Sequence, residues 1–181
     1  MKKKILWGLS IAIILILMLF FVLLSLELVK QTDCNQYHIE VPENIKEKVE
    51  VETLGLTEFQ IVDYCVDLTA ELLRFSFDQD KLFSKPVCGA HCVTYAQLCS
   101  TLCNIAFEKH DLGWSAKRVR GYVALYGVNL CKVLSYIFPK HINCVKDHDF
   151  VEVVGSHHTV YVDASMKDVI FTDLKMIKKA N

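Results

Sequence analysis

Residues 5–26 read ILWGLSIAIILILMLFFVLLSL, 22 positions without a charge. A run of this kind must leave water, and it restricts the chain more than any other segment. As a helix rising about 1.5 Å per residue it spans roughly 33 Å, against a bilayer core of about 30 Å. The apolar part of a cleaved signal peptide is shorter, about 7–15 residues, and ends at a small-residue site. Ser25-Leu26-Glu27-Leu28-Val29 offers no such site, and Cys34 lacks the context of a lipid-attachment cysteine. The run therefore predicts an uncleaved, single-pass anchor. Lys2, Lys3 and Lys4 precede it, which predicts a cytoplasmic amino terminus and an extracytoplasmic body. The expected organisation is a cytoplasmic tail (1–4), a transmembrane helix (5–29), a polar stalk or amino-terminal arm (30–56) and a globular domain (57–181).

Composition narrows the function classes. The 181 residues carry 20 Lys+Arg against 21 Asp+Glu, a formal net charge of −1. That balance gives no electrostatic footing for nucleic acid. Eight cysteines follow the anchor, at 34, 65, 88, 92, 99, 103, 131 and 144. An exported body with this count suggests disulfides, with Cys34, Cys131 and Cys144 the better candidates and their pairing open. Cys92, Cys99 and Cys103 share one helical stripe with Ala96, which reads Cys99 and Cys103 as small buried residues.

Thr57-x-x-Gln60 has the form of a capping box and opens an amphipathic helix over about 58–75. Residues 78–86 read as a loop, and a second helix begins near Cys92. Residues 116–124 read as a strand, and 125–147 as an apolar stretch with a short helix before Pro139. The clearest unit is HDFVEVVGSHHTVYVDAS, residues 148–165. Gly155-Ser156 suits a two-residue turn with glycine first. In that register the residue numbers of facing partners sum to 311, so His148 opposes Asp163 directly. Val151, Val153, Val160 and Val162 fall on the other, core-facing side.

An imidazole beside a carboxylate is half of a nucleophilic triad, because the acid fixes the ring's tautomer and stabilises its charged form. Cys92 supplies a nucleophile: at the start of a helix, free N–H groups and the helix dipole favour a thiolate. Gly89 lets the backbone approach a substrate.

These residues carry a resemblance. Gly89-Ala90-His91-Cys92-Val93-Thr94-Tyr95-Ala96 resembles the nucleophile segment of the transglutaminase-like superfamily. Ala116-Lys117-Arg118-Val119-Arg120-Gly121-Tyr122 resembles its following strand, with one extra residue. His148-Asp149-Phe150-Val151-Glu152-Val153 resembles its His-x-Trp-x-Glu-Val segment, and Val162-Asp163-Ala164-Ser165 its Val-Asp-Pro-Thr segment. Phe150 and Thr159 stand where tryptophans are common, Ala164 replaces the usual proline, and 125–147 is an insert. The resemblance implies an α+β, papain-like domain with helices packed on an antiparallel sheet. It implies Cys92 as nucleophile, His148 as general base and acid, Asp163 as orienting residue, and no cofactor. The implied reaction is acyl transfer from a protein, peptide or amide, ending in hydrolysis (a cysteine peptidase or amidase) or in transfer to an amine. The oxyanion donors expected are the Cys92 N–H and a side chain such as Gln79. Two other readings stand beside it: a membrane-tethered binding module that keeps the triad without turnover, and a zinc site using Cys88, His91, Cys92, His141, Cys144 and His148.

Overall fold

The computed structural model describes residues 25–76, 78–137, 147–170 and 174–179. The architecture is α+β. One antiparallel sheet has the order β1 (Leu26–Asp33), β4 (Ser115–Leu125), β6 (His148–Val154), β7 (His158–Asp163) and β8 (Leu174–Lys179). A short β5 (Val128–Asn129) folds back on β4. A separate parallel pair joins β2 (Leu73–Phe75) to β3 (Cys88–Ala90). The helices are α1 (Glu43–Glu52), α2 (Glu58–Leu72), α3 (Cys92–Lys109), α4 (Leu130–Ile137) and α5 (Ala164–Ile170).

Each face of the sheet has its own core. On one face Val151, Val153, Val160 and Val162 meet Ile61, Val62 and Cys65 of α2 and Ala96, Cys99 and Leu102 of α3. This is the valine face expected from strand alternation. The sheet curls so that its end strands β1 and β8 approach one another. Inside the curl, Leu28, Val119, Val123, Phe150 and Tyr161 form a second cluster. The Glu152 charge enters that interior within a hydrogen-bonded network. The Glu152 carboxylate takes two bonds from Lys30 Nζ, at 2.9 and 2.7 Å, and one from Tyr161 Oη at 2.9 Å. Lys117 Nζ lies 3.2 Å away. Burial alone would raise the Glu152 pKa, but these donors hold it below the ordinary carboxylate value.

α2 begins as its sequence dictates. Thr57 and Gln60 form the full capping box, and Ile61, Val62, Cys65 and Leu68 face the core. The helix stops at Leu72, earlier than expected, because Leu73–Phe75 pair with Cys88–Ala90 as strands. At the far end of α3, the Asn104 side chain bonds both backbone groups of Ala116, at 2.8 and 2.7 Å, and pins the helix to β4.

Three further sequence expectations change. Residues 26–29, placed in the transmembrane helix, belong to β1, and the expected stalk contains the rest of β1 and α1. LELVK alternates: Leu28 is fully buried and Lys30 reaches inward to Glu152. The α1 sequence ENIKEKVEVE hides a one-residue-wide apolar stripe, with Val49 fully buried. Residues 1–24, where the rest of the expected anchor falls, lie outside the described residues, and no helix among the described residues is long and apolar enough to cross a membrane.

The hairpin register is the third change. Val151 pairs with Val162 and Glu152 with Tyr161, so facing numbers sum to 313. The turn is centred on Ser156-His157, closed by Gly155 N–H donating to His158 O at 2.9 Å. Gly155 has another duty. A Cβ there would lie 2.3 Å from Trp114 Cε2, so glycine is needed to admit the indole. A two-residue change in the sum keeps each side chain on its face. His148 therefore sits diagonally across from Asp163, not opposite it.

Candidate active site

Cys92 is the first residue of α3, half-buried, and delivered there by β3. His91 caps the helix with extended backbone, and its Nδ1 accepts from Val93 N–H at 3.3 Å. Burial holds the His91 pKa below its ordinary value. The helix behind Cys92 is anchored by a continuous buried stripe that includes Ala96, Cys99, Leu102, Cys103 and Ala106. A first-turn thiol on such a helix has little freedom to move, and it faces amides that lack intrahelical acceptors.

His148 opens β6, where it pairs with Gly121 of β4. Gly121 is dictated by space: a Cβ there would fall 1.9 Å from Val29 O and 2.9 Å from the Phe150 ring. Phe150 backs the imidazole, with ring centroids 6.4 Å apart, and is itself held edge-on by Tyr161 at 5.8 Å.

Asp163 ends β7 and caps α5. Its Oδ1 accepts from Ser165 N–H at 3.0 Å, Ser165 Oγ at 2.7 Å and Met166 N–H at 3.3 Å. Its Oδ2 bonds His148 Nε2. The carboxylate is 2% exposed, so each oxygen has a fixed task. Tyr95 Oη of α3 donates to Asp168 Oδ2 of α5 at 3.0 Å, which ties the helix that carries Cys92 to the helix that Asp163 caps.

The structure thus brings Cys92, His148 and Asp163 together. Nε2 is taken by Asp163, so Nδ1 is the imidazole nitrogen left for the sulfur, which lies close enough to the ring to raise its pKa. Burial opposes the charged ring, but the Asp163 carboxylate and the Cys92 sulfur together outweigh it. The His148 pKa stands well above the ordinary 6.5.

Two side chains converge on Thr94, two positions beyond Cys92. Gln79 Nε2 lies 3.4 Å from Thr94 Oγ1. Tyr37, from the segment expected to be a stalk, lies close enough to Thr94 to offset part of the rise that burial gives its pKa, and its ring lies under the Arg118 guanidinium at 5.3 Å. Tyr37 was not foreseen, because its segment carries no signal that ties it to the domain.

Asp149, also unforeseen, is 2% exposed on the helix-facing side of β6. Arg120 Nε bonds its Oδ1 at 3.0 Å and Arg118 Nη1 lies 3.5 Å from its Oδ2. The residue before it in the sequence takes the chemical part, and nothing in the sequence marks Asp149 itself as buried.

Gly89 departs from its expected role. Its N–H donates to Asp80 Oδ2 at 2.6 Å, and a Cβ there would crowd Asp78 O and Asp80, so the close approach is to a loop of the chain itself. Cys34, Cys65, Cys88, Cys92, Cys99 and Cys103 are all free thiols. Cys99 and Cys103 are fully buried, as their stripe suggested. Cys144 and the Cys131 side chain, the other disulfide candidates, lie outside the described residues, as does His141. Among the described residues no group of three or more His, Cys, Asp or Glu is arranged to hold a metal ion. Set against family models, curated proteins and solved structures, the chain matches none.

Proposed function

We propose that the chain is a membrane-anchored cysteine hydrolase with a transglutaminase-like domain, acting on a peptide or amide bond without a cofactor. The observation that carries this reading is the His148–Asp163 Oδ2 bond with the Cys92 sulfur, at the start of α3, beside the same ring. The proposed reaction uses Cys92 as a thiolate, its proton carried by the His148 ring that Asp163 supports. The Cys92 thiolate adds to the substrate carbonyl carbon, and the carbonyl electron pair moves onto oxygen. The Cys92 N–H is the backbone donor to this oxyanion, and Gln79, which reaches Thr94 in the first turn of α3, is the side-chain donor. The intermediate collapses, the carbon–nitrogen bond breaks, and His148 gives its proton to the departing amine. A water then loses a proton to His148 and adds to the thioester. Release of the acid restores the thiolate and imidazolium. Asp163, bonded to Nε2, keeps Nδ1 aimed at sulfur.

After β1 takes Leu26, the apolar sequence 5–25 would span about 31 Å as a helix, enough for the anchor. The amino terminus is then cytoplasmic and the domain extracytoplasmic.

The test is alkylation with iodoacetamide across pH, read by intact mass and peptide mapping. A thiolate held by imidazolium reacts rapidly well below pH 8, whereas an ordinary thiol of pKa about 8.5 does not. Cys92 is expected to be modified first at pH 6, and Cys92→Ala to abolish both this adduct and hydrolysis of acyl-donor probes. Preferential modification of another cysteine at pH 6 sinks the assignment.

A further inference from the structure

An exposed apolar surface lies beside the point where the amino-terminal run enters the fold. Leu26, the last residue of that run, pairs with Leu125 at the end of β4. Tyr126 and Gly127 follow at once, both with positive φ, and turn the chain into β5. Asn129 then accepts the Lys132 N–H through its side chain at 2.9 Å and starts α4. Within these 11 residues Tyr126 is 71% exposed, Val128 54%, Val133 42% and Tyr136 77%. One exposed apolar side chain is ordinary; four in one short stretch are not.

α4 sorts its residues by face. Leu130 packs inward against the cluster that holds Leu28 and Phe150, while Lys132, Val133 and Tyr136 face outward. A tyrosine, an aliphatic residue and a lysine on the outer face of α4, with exposed Tyr126 and Val128 in the turn before it, are the composition of a headgroup boundary. There the rings take the interface and the long cation reaches the phosphates. Water gains nothing from this composition.

We propose that the β4–β5 turn and the outer face of α4 rest in the lipid headgroup region, so that the domain lies on the bilayer. The occupant is the membrane that the residues before Leu26 enter, so the inference rests on the anchor of the proposed function. It also orients the site. His148 pairs with Gly121, four residues or about 13 Å along β4 from Leu125. The Cys92–His148 pair is then held near the membrane surface, where it serves acyl donors at or close to the bilayer.

The test uses the full chain reconstituted in phosphatidylcholine vesicles, with Trp7→Phe to silence the anchor's own fluorophore. Tyr136→Trp and Val128→Trp are compared with Leu54→Trp. Leu54 neighbours Thr53, whose hydroxyl lies 2.9 Å from His110 Nε2 at the far end of α3 from Cys92. Brominated phosphatidylcholine is expected to quench the added emission at 136 and 128 severalfold more than at 54. Chains that float with the vesicles but show equal quenching at all three positions overturn this proposal and leave the anchor intact. Chains that fail to float overturn both.

Discussion

At residue scale the central question is what Asp163 contributes, since it is both helix cap and partner of His148. Asn caps helices about as well as Asp, so Asp163→Asn separates the two duties. The cap is kept, so stability to urea is expected to fall only by the share that the charged His148 contributes, while turnover falls by about 10²–10⁴-fold. His148 reports the same change directly. Its raised pKa means the folded state favours the protonated ring. The resulting stabilisation is complete below pH 6.5 and is lost as pH rises through the folded value. In NMR titrations of the His148 ring, Asp163→Asn is expected to lower the midpoint, because the carboxylate is the larger raising influence. Cys92→Ala is expected to lower it less. A midpoint unmoved in both variants rules out the coupled pair.

Elements explain why some of this was legible in the chain and some was not. The β6–β7 faces follow from period-two alternation alone, and alternation survives a register error of two. The turn did not follow, because Gly155 reads as a turn glycine when its glycine is required by Trp114. β1 was hidden because its LELV continues an apolar run whose length already had an explanation. α1 was hidden because a single buried valine gives a weak stripe. α5 has its start signal in Asp163 and Ser165, a cap masked by the chemical reading of the same aspartate. The three-residue β2 and β3 carry no pattern long enough to detect.

Gly121 tests the packing of these elements. Its Gly→Ala Cβ would collide with the Val29 carbonyl at the point where β1 bulges between Lys30 and Thr32. The backbone cannot yield as a side-chain tip can, so Gly121→Ala is expected to cost about 1–3 kcal/mol or more in urea unfolding. It is also expected to lower turnover, because Gly121 is the strand partner of His148. A variant with unchanged midpoint and unchanged rate removes the claim that this contact sets the position of the ring.

For the whole molecule, the decisive fact is that the strand next to the apolar run is part of the domain. Leu28 is fully buried inside the curl, and β1 pairs with β4 along most of its length. Lys30 supplies the shorter of the two cation contacts to Glu152. Losing one fully buried leucine typically costs 2–5 kcal/mol, against a total of about 5–15 kcal/mol for a domain. Removing β1 also strips the ladder from β4 and leaves the Glu152 carboxylate to Lys117 and Tyr161. A chain reduced to residues 25–181 is therefore expected to fold, and one reduced to residues 34–181 to unfold or aggregate. Urea denaturation followed by circular dichroism distinguishes them. Equal midpoints for the two chains contradict a domain that begins at Leu26 and restore the expected boundary near residue 57. With β1 inside the domain, no flexible stalk separates the sheet from residue 25. The distance of the Cys92–His148 site from whatever that residue enters is then fixed by the fold itself.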